Sequence, residues 1–182
     1  MRNGSFPFPD KDLALRELEA DPASGLLSAE EKAEVAEKAW EYGCATARRL
    51  LDGTEAGNIR KLLSDRNVQV VNKEQDYVYG GRRYFSIYET GRNRITLYAG
   101  SVRLWAKENE ISYSEATDMI LCHEFFHCLE ANEIGYASKL VSLPILKIGR
   151  FSFGTKGIRA LSEIGAHAFA RTFYEITHPE TV

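Results

Sequence analysis

Three cysteines in 182 residues are too few, and odd in number, for a disulfide scaffold. Cys122 and Cys128 stand six apart in a stretch that reads as one helix, too far along its axis to bridge, so all three are expected to be reduced thiols. Basic runs are also missing. No run of Lys or Arg exceeds two residues and the net charge is −3 with a pI near 5.9, which leaves no electrostatic footprint for direct nucleic-acid binding. The longest aliphatic stretch, Leu140 to Leu146, is interrupted by Ser142 and Pro144 and falls far short of the roughly 20 residues that span a bilayer. MRNGSFPFPDKDLALRELEA at the start holds no apolar signal core, so the expectation is a cytoplasmic protein without membrane contact.

What remains is an ordinary core-forming composition, 44% hydrophobic and 27% charged. It suits one domain over residues 1–182, with a helical part at 1–54 and a core at 55–182. Histidine is scarce, at four residues, and two of them fall in His123-Glu124-Phe125-Phe126-His127. Residues four apart on a helix lie one above the other, so the two imidazoles can share one metal ion while Glu124 stands over its open position. The surrounding MILCHEFFHCLE has no other charge from Met119 to Leu129, and burying such a triad without partners is costly. A zinc hydrolase is the reading, with Zn2+ activating water and polarising a carbonyl while Glu124 accepts the proton and passes it to the leaving amine.

Ser28 with Glu31 predicts a capping box before a helix whose Ala36, Trp40, Cys44, Ala47 and Leu51 form one face up to Gly53. A shorter helix is expected from Glu55 to Asp65, then a strand at Val68 to Val71. Gly80-Gly81 and Gly91-Arg92-Asn93 predict two hairpin turns joining Tyr77 to Tyr79, Arg83 to Glu89 and Arg94 to Tyr98 into a meander. Tyr77, Tyr79, Tyr84, Phe85 and Tyr88 there read as cross-strand packing rather than a base-stacking platform. A helix to about Asn109 follows, and Ser112 with Glu115 caps the motif helix, which is expected to reach Ala131. Tyr136 to Gly157, broken by Pro144 and three glycines, reads as a loop-rich insertion over the site.

A catalytic zinc needs a third protein ligand. On the last expected helix, Ile158 to Thr177, Glu163 and His167 are spaced for one face, and either could serve. Tyr136, His167, Arg171 and Tyr174 are candidate donors to a developing oxyanion, while His178 reads as solvent-exposed.

Glu163 follows His127 by 36 residues, and this order resembles the gluzincin arrangement. SEIGAHAFA is similar to the E-x-x-x-D helix of thermolysin-like enzymes and closer to the E-x-E-A-N-x-F-A segment of the ImmA/IrrE metallopeptidases, although Gly165 stands where that family often has a second glutamate. The resemblance takes in roughly residues 55 to 177. It implies an α+β, minimal zincin-like domain, with a small, mostly antiparallel sheet packed on the active-site helix and the third ligand on a C-terminal helix. It also implies His123, His127 and Glu163 as ligands, Glu124 as base and His167 behind them; a third histidine ligand, as in SprT-like proteases, would instead be His167. By the same resemblance the strand Arg94 to Tyr98 would offer a free edge to an extended segment of a protein or peptide substrate, such as a regulatory protein. A different class, a catalytically silent zincin-fold binding module, has no need of Glu124.

Overall fold

The computed structural model describes residues 7–52, 57–148 and 151–179, with backbone alone for 142–148 and 151–155. The fold is α+β, and its described residues comprise six α-helices and a small mixed sheet. None of these helices is long and apolar enough to cross a membrane.

The capping box forms as its sequence dictates. Glu31 N–H donates to the Ser28 hydroxyl at 3.2 Å and Ser28 N–H donates back to the Glu31 carboxylate at 2.8 Å, starting α2 (Ala29–Leu51). Before it lies α1 (Lys11–Ala20), a helix that the sequence reading lacks: Asp10 caps it, but only Ala14 and Leu18 are buried, too little apolar periodicity to read. The expected helix from Glu55 is α3 (Ile59–Asp65), begun by Asn58. Positions 53–56, including the stop expected at Gly53, lie outside the described residues.

The expected meander divides. β2 (Tyr77–Tyr79) and β3 (Arg82–Tyr84) close a ribbon around Gly80 and Gly81, both at positive φ, as a two-residue hairpin turn requires. Phe85 then leaves the ribbon, its carbonyl accepting Tyr98 N–H at 2.8 Å, and the chain enters a different sheet as β4 (Ser86–Glu89). There β5 (Arg94–Tyr98) is central, antiparallel to β4 and parallel to β1 (Gln69–Lys73). The sheet is therefore mixed rather than mostly antiparallel. Both edges of β5 are paired, so the free-edge role expected of Arg94 to Tyr98 is closed to it and only β4 can offer an edge on that side.

α4 (Ala99–Glu108) leads to α5 (Tyr113–Leu129), which Ser112 caps by accepting Glu115 N–H at 3.1 Å. Buried side chains occur all round α5, from Ala116 to Leu129, because sheet and helices cover it on several sides. The loop-rich insertion is instead a β-hairpin, β6 (Ser142–Ile148) with β7 (Phe151–Gly157). Pro144 and glycines obscured it, yet a two-stranded ribbon has only edges, where proline is tolerated.

α6 (Ala160–Thr177) runs between α2 and α5, with Phe125, Phe126 and Phe169 fully buried along that seam. Truncating one such Phe to Ala costs about 3–5 kcal/mol. Close approach of α2 and α6 rests on two glycines. A Cβ on Gly43 would overlap the Gly165 carbonyl, and one on Gly165 would come within 2.8 Å of the Phe126 ring. No glutamate fits at position 165 in this packing.

Candidate metal centre

α5 and α6 present three side chains to one point. The Nε2 atoms of His123 and His127 lie 3.3 Å apart; Glu163 Oε2 is 3.3 Å from the first and Oε1 is 3.7 Å from the second. Tetrahedral zinc with ligand bonds of about 2.0–2.1 Å holds its ligand atoms about 3.3 Å apart. Two imidazole nitrogens pointed at each other, with one carboxylate against both, satisfy each other poorly as three side chains but suit a cation. Among the described residues this His123, His127, Glu163 group is the one whose ligand atoms could hold a metal. Both expected candidates for the third position are on α6, and the structure brings Glu163 to the pair.

Glu124 is 7% exposed and reaches the same cavity, of about 710 Å3. The Ser86 hydroxyl donates to its Oε1 at 2.6 Å from β4, which fixes the carboxylate's rotation and leaves proton transfer to Oε2. Sequence reasoning missed Ser86, since nothing local to the motif points to a serine on a strand that only the sheet brings near.

Glu130 was missed as well, although it sits three residues beyond His127 on the same helical side. Its 2% exposure would be costly without partners, and it has three. Oε2 lies 3.0 Å from His127 Nδ1, while Oε1 accepts Ala137 N–H at 2.7 Å and the Ser162 hydroxyl at 2.9 Å. A carboxylate with two donors on one oxygen offers His127 an acceptor on the other. The imidazole proton therefore belongs on Nδ1, and Nε2 keeps its lone pair for a metal. The helix changes to a π turn at Glu130–Ile134, ended by Gly135 at φ 80°; this turns the chain so that Ala137 N–H meets Glu130.

His167 lies beside His123, ring centroids 4.8 Å apart, but its Nε2 faces Glu17 Oε1 of α1 at 3.3 Å rather than the metal group. Of the proposed oxyanion donors, His167 and Tyr136 line the cavity. Tyr174 instead donates to Glu115 at 2.5 Å, and Arg171 pairs with Glu175 at 3.8 Å, so both belong to packing. Cys44, Cys122 and Cys128 are buried free thiols that are not part of the group, and His178 is exposed, as expected.

The local field is negative. Burial opposes charge on His127, yet Glu130 and Glu163 outweigh it and hold its pKa well above the ordinary histidine value. Burial likewise works against ionised Glu163, whose side chain is 53% exposed by area, but hydrogen bonds from His123 and His127 keep its pKa well below the usual carboxylate value. His167 is lowered by burial and by neighbouring His123, with Glu17 acting against them. What favours a proton between the two histidines and Glu163 favours a divalent cation more. No protein-family model, curated protein or solved structure matches the chain.

Proposed function

We propose that the chain is a zinc-dependent metallopeptidase of the gluzincin type, with a minimal zincin-like fold akin to the ImmA/IrrE metallopeptidases, acting on a protein or peptide. The observation that carries the reading is the approach of two imidazole nitrogens to each other at 3.3 Å and of one carboxylate to both, at 3.3 and 3.7 Å, beside the buried Glu124. His123, His127 and Glu163 would hold Zn2+. When bound, the ion supplies a Lewis acid for the scissile carbonyl and acidifies water. Glu124 takes the proton of the attacking water and returns it to the leaving nitrogen, with Ser86 holding the carboxylate in place. His167 or Tyr136 donates to the developing oxyanion from the cavity wall.

The free edge of β4 beside α5 suits an extended protein segment, bound by main-chain hydrogen bonds. A regulatory protein is one such substrate. Three free cysteines fit a reducing compartment such as the cytoplasm. The test is metal content and cleavage together: about one zinc per chain, lost in His123→Ala or His127→Ala, and chelator-sensitive proteolysis of host protein that disappears in Glu124→Gln while zinc stays. Zinc bound without any cleavage by the wild type would favour a silent binding module.

A further inference from the structure

One wall of the cavity is made by the chain itself ahead of α1. Pro7, Phe8 and Pro9 line it. The Phe8 ring stacks on His123 at 6.1 Å and 10°, lies 5.7 Å from the His167 ring and meets Trp105 edge-on at 5.5 Å. Trp105 in turn packs on Phe85 at 5.6 Å, and Phe8, Phe85 and Trp105 pack against the core cluster to which Ile120 of α5, also in the cavity lining, belongs. An aromatic ring is thus held over a candidate metal ligand, in an apolar corner of a polar site.

The segment is anchored rather than adrift. α1 begins at once after it, Lys11 pairs with Glu37 of α2 at 2.5 Å, and Glu17 reaches His167 at 3.3 Å. Its two prolines have no N–H to donate, so Pro7-Phe8-Pro9 cannot complete the main-chain ladder that a peptide could make along β4. It presents a side chain to the site and little backbone.

Resting on the metallopeptidase reading, we propose that the corner walled by Phe85, Trp105 and Ile120 seats a bulky aromatic side chain of the peptide substrate, and that Phe8 occupies that seat as a resident competitor. An aromatic substrate side chain must displace Phe8 to enter that seat, whereas a peptide without one binds with Phe8 left in place. Peptides with phenylalanine-like residues are favoured because they replace the aromatic contacts that Phe8 gives up.

The probe is a blocked pentapeptide with one central phenylalanine, compared with its all-alanine counterpart. Each is titrated into the full zinc-loaded chain carrying Glu124→Gln, so that binding is read without turnover. Adding Phe8→Ala removes the competitor and should tighten the phenylalanine peptide about tenfold, leaving the alanine peptide unchanged. Phe8→Leu retains apolar packing should Phe8→Ala melt early, and it should give a smaller gain of the same selectivity. Equal affinity for both peptides in a folded Phe8 variant, or binding of neither, overturns the inference. If the wild type still shows chelator-sensitive cleavage in that case, only the seat is lost. A selective gain in a protein that cleaves nothing keeps the seat and removes the peptidase reading.

Discussion

Glu130→Gln is the most discriminating perturbation of the metal centre, because it changes protonation geometry at nearly constant volume. Glu130 accepts three hydrogen bonds at 2% exposure, from Ala137 N–H, the Ser162 hydroxyl and His127 Nδ1. A glutamine can keep its oxygen on Ala137 and Ser162, but it then turns an NH2 towards Nδ1. His127 must accept there, so its proton moves to Nε2, the atom that faces His123 at 3.3 Å. An Nε2–H cannot bind metal. Partners of metal-ligating histidines typically account for 10–100-fold in affinity, and zinc affinity in Glu130→Gln should fall by about that factor. The metal-free fold should lose about 1–3 kcal/mol, the cost of a poorly satisfied buried group; Glu130→Ala, which orphans three partners, should lose more. Zinc affinity is read by competition with a chromophoric chelator, and stability by urea unfolding in excess chelator. A folded Glu130→Gln chain that binds zinc as tightly as wild type would refute the argument from the Nδ1 proton.

Four further outcomes are expected. Zinc affinity should drop more than about 100-fold in Glu163→Ala and by less than about tenfold in His167→Ala, whose ring nitrogen faces Glu17 rather than a ligand; the opposite order in the same competition assay would make His167 the ligand. Chelation should lower the melting temperature by about 5–10 °C at zinc levels near a hundred times Kd, since about 2.7 kcal/mol of linkage is removed from a chain of this size; calorimetry with and without chelator checks it, and identical melting would argue against a site in the folded state. Ser86→Ala should reduce kcat about tenfold or more with zinc content unchanged, as a hydrogen bond to a charged group is worth about 1.5–3 kcal/mol. Gly43→Ala should destabilise the chain by about 1–3 kcal/mol, because the added methyl meets a backbone carbonyl that cannot swing aside; a neutral result in urea unfolding would mean that α2 and α6 are free to separate.

Relations within a few residues could be read from chain order. Four-residue spacing on any helix stacks His123 over His127, and Ser28 meets Glu31 wherever a helix begins there, so these needed no tertiary information. Gly80-Gly81 is similar, since two positive φ values in sequence close a ribbon regardless of what surrounds it. Strand pairing was not local. That β5 lies between β1 and β4 depends on which strands can cover α5, and the split at Phe85 depends on Trp105 and Tyr98 being there to receive it.

The candidate site divides in the same way. His123, Glu124 and His127 announce themselves because one helix carries all three. Glu163 and His167 are equivalent by spacing, and the turn of α6 about its axis separates them: packed against α2 through Gly165 and Gly43, it aims Glu163 at the two histidines and His167 at Glu17. Ser86 and Phe8 reach the cavity, and Ala137 and Ser162 reach Glu130, only where sheet, π turn and N-terminal segment close round α5. Periodicity records which way a side chain leaves its own helix; what it meets there is settled by packing between elements far apart in the chain.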